Sequence, residues 1–177
     1  MTIAQHAAIT SAMCAGLYLA FRSPGMAIAC FAAGVFIDLD HFLDYAVNFA
    51  PRFGLRHFFE CFKDRVFNRV IVFLHAWEWV ALAIAIACAT RSGVAAGIAA
   101  GLLLHMALDQ AFNRHNPCGY FISFRLANKF DARRFHGAAE YRRRLKLRRR
   151  LERGRPEARA AEAEPISEAG RSPRPQR

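Results

Sequence analysis

A chain of 177 residues has room for one domain and little more, and 54% hydrophobic content beside a formal net charge of +11 argues against one evenly mixed globular fold. The charge is partitioned: up to Asn113 seven Lys/Arg face seven Asp/Glu, whereas from Arg114 onward eighteen face seven, which carries the whole surplus. Five scattered cysteines, Cys14, Cys30, Cys61, Cys88 and Cys118, are odd in number and lack a CxxC pair, which argues against a disulfide framework.

In chain order, four apolar stretches read as membrane-spanning helices. The first runs from about Ile3 to Phe21 and is broken by Arg22-Ser23-Pro24-Gly25. The second runs from Met26 to about Ala50 and stops at Pro51. The third runs from Val70 to the turn Arg91-Ser92-Gly93, and the fourth from Val94 to about Asn113. Each is near the roughly 20 residues that cross a hydrocarbon core. The first lacks a basic n-region and carries His6, so it does not read as a cleavable signal. The expected fold is an all-α, four-helix transmembrane bundle over residues 1–113.

The two tight turns carry one basic residue each, Arg22 and Arg91, whereas the connection from Pro51 to Arg69 carries five and the C-terminal region eighteen. The positive-inside rule then places the long connection and both termini in the cytoplasm. Beyond the bundle, 114–155 reads as a basic juxtamembrane segment whose run Arg142 to Arg155 is helical. The Ala, Glu, Pro and Ser-rich stretch 156–177 reads as disorder. The basic run suits anionic lipid headgroups better than nucleic acid, because no interleaved aromatic residues or nucleic-acid-binding signature accompany it.

Ionisable groups inside membrane spans are costly and mark function. The spans contain His6; Asp38, Asp40, His41 and Asp44; His75 and Glu78; and His105 and Asp109. Intervals of three or four place Asp38 with His41, His75 with Glu78, and His105 with Asp109 on shared helix faces. Measured at 1.5 Å per residue from the short turns, all four helices bring their polar groups to one layer, roughly 20 to 27 Å away and toward the cytoplasm. Asp44, nearer the interface, is expected to be solvated, and His57, His115 and His136 are not expected to be ligands.

Imidazole and carboxylate together suit zinc, manganese or iron. The expected ligands are His6, Asp38, His41, His75, His105 and Asp109, with Asp40 or Glu78 as base or bridging acid. A divalent metal beside carboxylates suits hydrolysis. Two alternatives remain open: histidine pairs ligating b-type haem for electron transfer, and a non-enzymatic membrane scaffold held by His–Asp pairs.

The order of His6, then Phe36-Ile37-Asp38-Leu39-Asp40-His41, then Leu74-His75-Ala76-Trp77-Glu78, then His105 with Asp109 resembles the YdjM-like family of small bacterial membrane-bound metal-dependent hydrolases. That family's pattern is related to zinc-dependent phospholipase C. The resemblance covers roughly residues 1–113 and implies metal binding and a bacterial inner-membrane hydrolase; an ester or phosphoester substrate, with lipid as a candidate, is expected because the polar layer lies toward the headgroups. The chain departs from the pattern at Ile37, where the family has proline, and around His75, where Glu78 becomes a candidate substitute ligand or base.

Overall fold

The structure, a computed structural model, describes residues 3–49, 54–64, 66–113 and 116–153. His115 and the stretch expected to be disordered lie outside the described residues. Among those described, the architecture is all-helical, and the sole extended pairing is an isolated antiparallel bridge between Arg69 and Asp131.

Helix α1 spans Ile3–Phe21 and α2 spans Pro24–Phe36. A 3-10 turn, Ile37–Asp40, leads into α3, His41–Phe49. Helix α4 covers Leu55–Asp64, α5 Trp77–Thr90 and α6 Gly93–Phe112. A second 3-10 turn at Pro117–Tyr120 precedes α7, Ile122–Ala127, α8, Ala132–His136, and α9, Ala138–Arg153.

The two hairpin turns share one chemistry. Arg22 and Arg91 adopt left-handed backbone angles, φ 51° and 52°, and their N–H groups close the preceding helices onto Tyr18 and Ala87. Ser23 and Ser92 then cap the next helices, their hydroxyls accepting from the Met26 and Ala95 amides. Pro24 at the first helical position of α2 costs no hydrogen bond, because that N–H would have none to make.

Helices α2 and α6 form the central pair, with α1 against α2 and α5 against α6. Glycine makes the central contact possible. A Cβ at Gly97 would enter the Met26 carbonyl, and one at Gly101 the Cys30 carbonyl. The two backbones therefore touch, as small-xxx-small packing allows.

Two expectations need correction. The second apolar stretch is not one continuous α-helix, since Ile37–Asp40 tightens into a 3-10 turn. The third helix starts at Trp77 rather than Val70 and has 14 residues, about 21 Å at 1.5 Å per residue. The reason is tertiary. The amides of Ile71, Val72 and Leu74 are taken by the carboxylates of Asp44 and Asp40, so this segment turns instead of coiling.

The C-terminal segment is also more than an appendage. Ala132 and Phe135 join Tyr45, Phe49, Phe58, Val66, Phe67 and Val70 in a core at one end of the bundle, with Tyr141, Leu147 and Leu151 packed on it. The guanidinium of Arg148 lies 4.6 Å over the Phe49 ring and donates to the Asn48 carbonyl. Helix α9 thus binds the body through one face and leaves Arg142, Arg143, Lys146, Arg149 and Arg150 exposed.

Among the described residues, two segments, Pro24–Phe49 and Gly93–Phe112, are long and apolar enough to cross a membrane, and Trp77–Thr90 is a shorter apolar helix.

Candidate metal centre

The polar groups of five separate segments converge. Helix α1 supplies His6. The 3-10 turn supplies Asp38 and Asp40, and α3 supplies His41 and Asp44. The irregular loop before α5 supplies His75, and α6 supplies His105 and Asp109. The 3-10 geometry matters here, because its tighter winding changes the direction in which successive side chains project. His41 stands at the junction where that turn becomes α3.

The six residues expected as ligands fall into two groups, His6 with His105 and Asp109, and Asp38 with His41 and His75. Within each group the donor atoms lie within 4.8 Å of one another. Asp38 joins the groups: its Oδ1 is 3.3 Å from His75 Nε2, 3.6 Å from His105 Nε2 and 3.8 Å from His41 Nε2. The His6 and His105 rings stack at 4.3 Å, and the His75 ring centroid is 5.1 Å from that of His105. His6 Nε2 lies 3.1 Å from Asp109 Oδ1.

The protonation of one imidazole follows from its neighbour. His105 Nδ1 is 2.8 Å from the Gly34 carbonyl oxygen. A carbonyl only accepts, so Nδ1 carries the proton and Nε2 presents a lone pair to the cluster. That Nε2 is buried and makes no well-directed hydrogen bond, facing Asp38 Oδ1 at 3.6 Å, and Nε2 of His75 faces the same oxygen at 3.3 Å. Buried polar atoms are ordinarily satisfied. Two imidazole nitrogens and one carboxylate oxygen converging in a buried pocket of His and Asp donors are a chemistry that fits a divalent metal. The charges agree: Asp40, Asp44 and Asp109 are buried in or beside the cluster, and among the described residues Arg125 is the buried arginine, near Asp40 and Asp44.

The acids expected as base or bridge have other partners. Asp40 is buried; its Oδ2 accepts from the Leu74 amide at 2.6 Å and lies 3.4 Å from His75 Nδ1. It therefore orients His75, as a carboxylate behind a ligand histidine does. Glu78 does not join His75 on a helix face, since His75 precedes α5 and the three-residue interval carries no helical meaning there. Its carboxylate instead accepts from the Ile122 and Ser123 amides and the Ser123 hydroxyl, capping α7.

Asp44 is the other correction: it is fully buried, not solvated, and its Oδ1 accepts from the Ile71 and Val72 amides. His57 is engaged with Tyr45 and Cys61 outside the cluster, and His136 is buried beside Phe135.

Sequence reasoning missed Arg125. It is 2% exposed, donates from Nη1 to the Val72 carbonyl and from Nη2 to the His75 carbonyl, and burial pulls its pKa below the usual guanidinium value against the opposing pull of Asp40, Asp44 and Glu78. The available signal was an arginine set among apolar residues in Phe121-Ile122-Ser123-Phe124-Arg125-Leu126.

No family model matches the chain, and no curated protein or solved structure matches it either.

Proposed function

We propose that this chain is a membrane-embedded, metal-dependent hydrolase acting on an ester or phosphoester, with a lipid as the class of substrate. The observation that carries the reading is the convergence of two buried imidazole nitrogens, His75 Nε2 and His105 Nε2, on one carboxylate oxygen of Asp38 at 3.3 and 3.6 Å. The resemblance to the YdjM-like hydrolases rests on the same residues.

His6, His105 and Asp109 would hold one ion, and His41 and His75 with the shared Asp38 a second. A divalent cation in such a place polarises a phosphoryl or carbonyl oxygen and acidifies water, and zinc is the favoured identity with manganese and iron as competitors. The chain's own residues prepare the site. Gly34 fixes the His105 tautomer, Asp40 orients His75, and the apolar helix walls limit access of bulk water. Of the two acids expected to act as base, only Asp40 lies in the cluster, and its task there is to hold His75.

Membrane embedding is supported by exposure. Only 28% of the apolar window in Pro24–Phe49 and 33% of that in Gly93–Phe112 is buried, whereas a soluble core helix is mostly buried. Leu19, Phe21, Ile28, Phe36, Leu82 and Leu103 are exposed on the helix walls, an apolar surface that suits lipid. In this reading α1, α2 with α3, α5 and α6 form the four crossings of a bacterial inner membrane with both termini cytoplasmic. The short α5 is accommodated by local thinning or by its flanking loop.

The test is hydrolysis of a chromogenic phosphodiester and of phospholipid vesicles by purified protein. Activity should vanish with chelator and return with added zinc or manganese, and chelator-insensitive turnover would remove the metal from the mechanism.

A further inference from the structure

We propose that Arg125, together with Asp44, is a positioning clamp for His75, so that the C-terminal segment is a working part of the metal centre. This inference rests on the metal reading for its purpose, but its geometry stands without it.

The loop that presents His75 contains a strained residue. Val72 has φ 29°, a left-handed conformation that a β-branched side chain adopts only at a cost. Such strain persists where the surroundings over-determine it. Here both sides of Val72 are held: its N–H donates to Asp44 Oδ1 at 3.0 Å, and its carbonyl accepts from Arg125 Nη1 at 2.8 Å. The same carbonyl accepts the His75 amide at 3.0 Å, which closes the turn. Arg125 Nη2 then takes the His75 carbonyl at 2.9 Å. One planar guanidinium therefore bridges the two ends of the segment from Val72 to His75, a task suited to its fixed fork.

Arg125 is itself aimed. Glu78, at the start of α5, holds the first turn of α7 through the Ile122 and Ser123 amides, and Arg125 lies in that helix. The contacts form a closed ring: α5 holds α7, α7 holds the loop, and the loop enters α5. A buried arginine bonded to carbonyls with its Nε unsatisfied is an expensive way to stabilise a fold. Its return is a fixed backbone at His75, whose imidazole must meet Asp38 and His105 together.

The experiment uses full-length protein, wild type, R125K and R125M, with exposed R143Q as control. Hydrogen exchange of residues 70–76 is measured on metal-free protein, and cobalt binding is followed by its visible spectrum. In R125M the 70–76 amides should exchange at least about tenfold faster while α2 and α6 keep wild-type rates, and the cobalt equivalent involving His75 should weaken about 10- to 100-fold. R125K, which keeps the charge but loses the fork, should fall between. Unchanged exchange at 70–76 would overturn the clamp, and so would acceleration spread evenly over the bundle, which marks a merely structural role. Should wild-type protein bind no cobalt, the metal reading fails while the exchange data still decide on the clamp.

Discussion

His105 on α6 donates its Nδ1 proton to the backbone carbonyl of Gly34 on α2, 2.8 Å away and 71 residues earlier in the chain. An imidazole reaches a neighbouring backbone only where two helices approach without intervening side chains. Gly97 and Gly101 create that approach. The tautomer of a candidate ligand thus depends on glycines one and two turns before it.

Gly101→Leu should therefore damage the site from a distance. The new side chain must displace the Cys30 carbonyl and push α2 from α6, at a stability cost of about 1–3 kcal/mol from overpacking. Metal content and melting temperature should both fall in detergent-purified protein. A variant with wild-type metal content would show that the helix contact does not set the cluster.

Glu78 offers a contrast between catalysis and architecture. Its three hydrogen bonds all go to the start of α7. Glu78→Gln leaves one oxygen acceptor where two were used and should cost about 1–2 kcal/mol of stability. Metal stoichiometry should survive. A general base would behave differently, with stability intact and turnover reduced about 10²- to 10⁴-fold. Thermal unfolding and turnover on one preparation separate the two.

Much of this arrangement can be read from the chain, and the remainder has identifiable causes. The turns at Arg22-Ser23 and Arg91-Ser92 are local chemistry, so the ends of α1, α5 and α6 follow from sequence. The six candidate ligands also stand out, because charge inside an apolar stretch is conspicuous. The loop before α5 is different. Val70 to Ala76 looks apolar and helical in isolation, but Asp40 and Asp44, about thirty residues away, compete for its amides. Periodicity cannot reveal a competitor on another helix. For the same reason the interval from His75 to Glu78 suggested a shared face that does not exist. Asp44 was expected near water because of its depth, although its partners are backbone amides within the fold. Arg125 lay in a region distinguished chiefly by surplus charge, where one buried arginine is hard to tell from seventeen other basic residues.

Topology gives a third prediction. A reporter fused after Asn113 should behave as cytoplasmic, and one inserted at Ser92 as external. The motivation is five basic residues between Pro51 and Arg69 against one in each short turn. The reverse pattern would invert the proposed orientation and move the cluster to the other face.

The outer face of α9 gives a fourth. With its apolar face already packed on the body, its exposed arginines and Lys146 can attract a bilayer only through charge. In nanodiscs, α9 should be protected from hydrogen exchange when anionic phospholipid is present. Replacing Arg142, Arg143, Arg149 and Arg150 by Gln should remove that protection, each charge contributing about 1 kcal/mol. Equal protection in purely zwitterionic discs, or preferential capture of an oligonucleotide, would contradict lipid as the partner.

The central claim is that the His–Asp cluster binds metal, and elemental analysis of purified full-length protein with its visible spectrum tests it most directly. The account predicts one or two equivalents of zinc, manganese or iron and no Soret band. His105→Ala should lower the metal content, while His136→Ala, outside the cluster, should not. The stacked His6 and His105 rings, 4.3 Å apart, leave no room for a macrocycle between them. A strong Soret band, or metal-free protein whose content is indifferent to His105→Ala, would contradict the account.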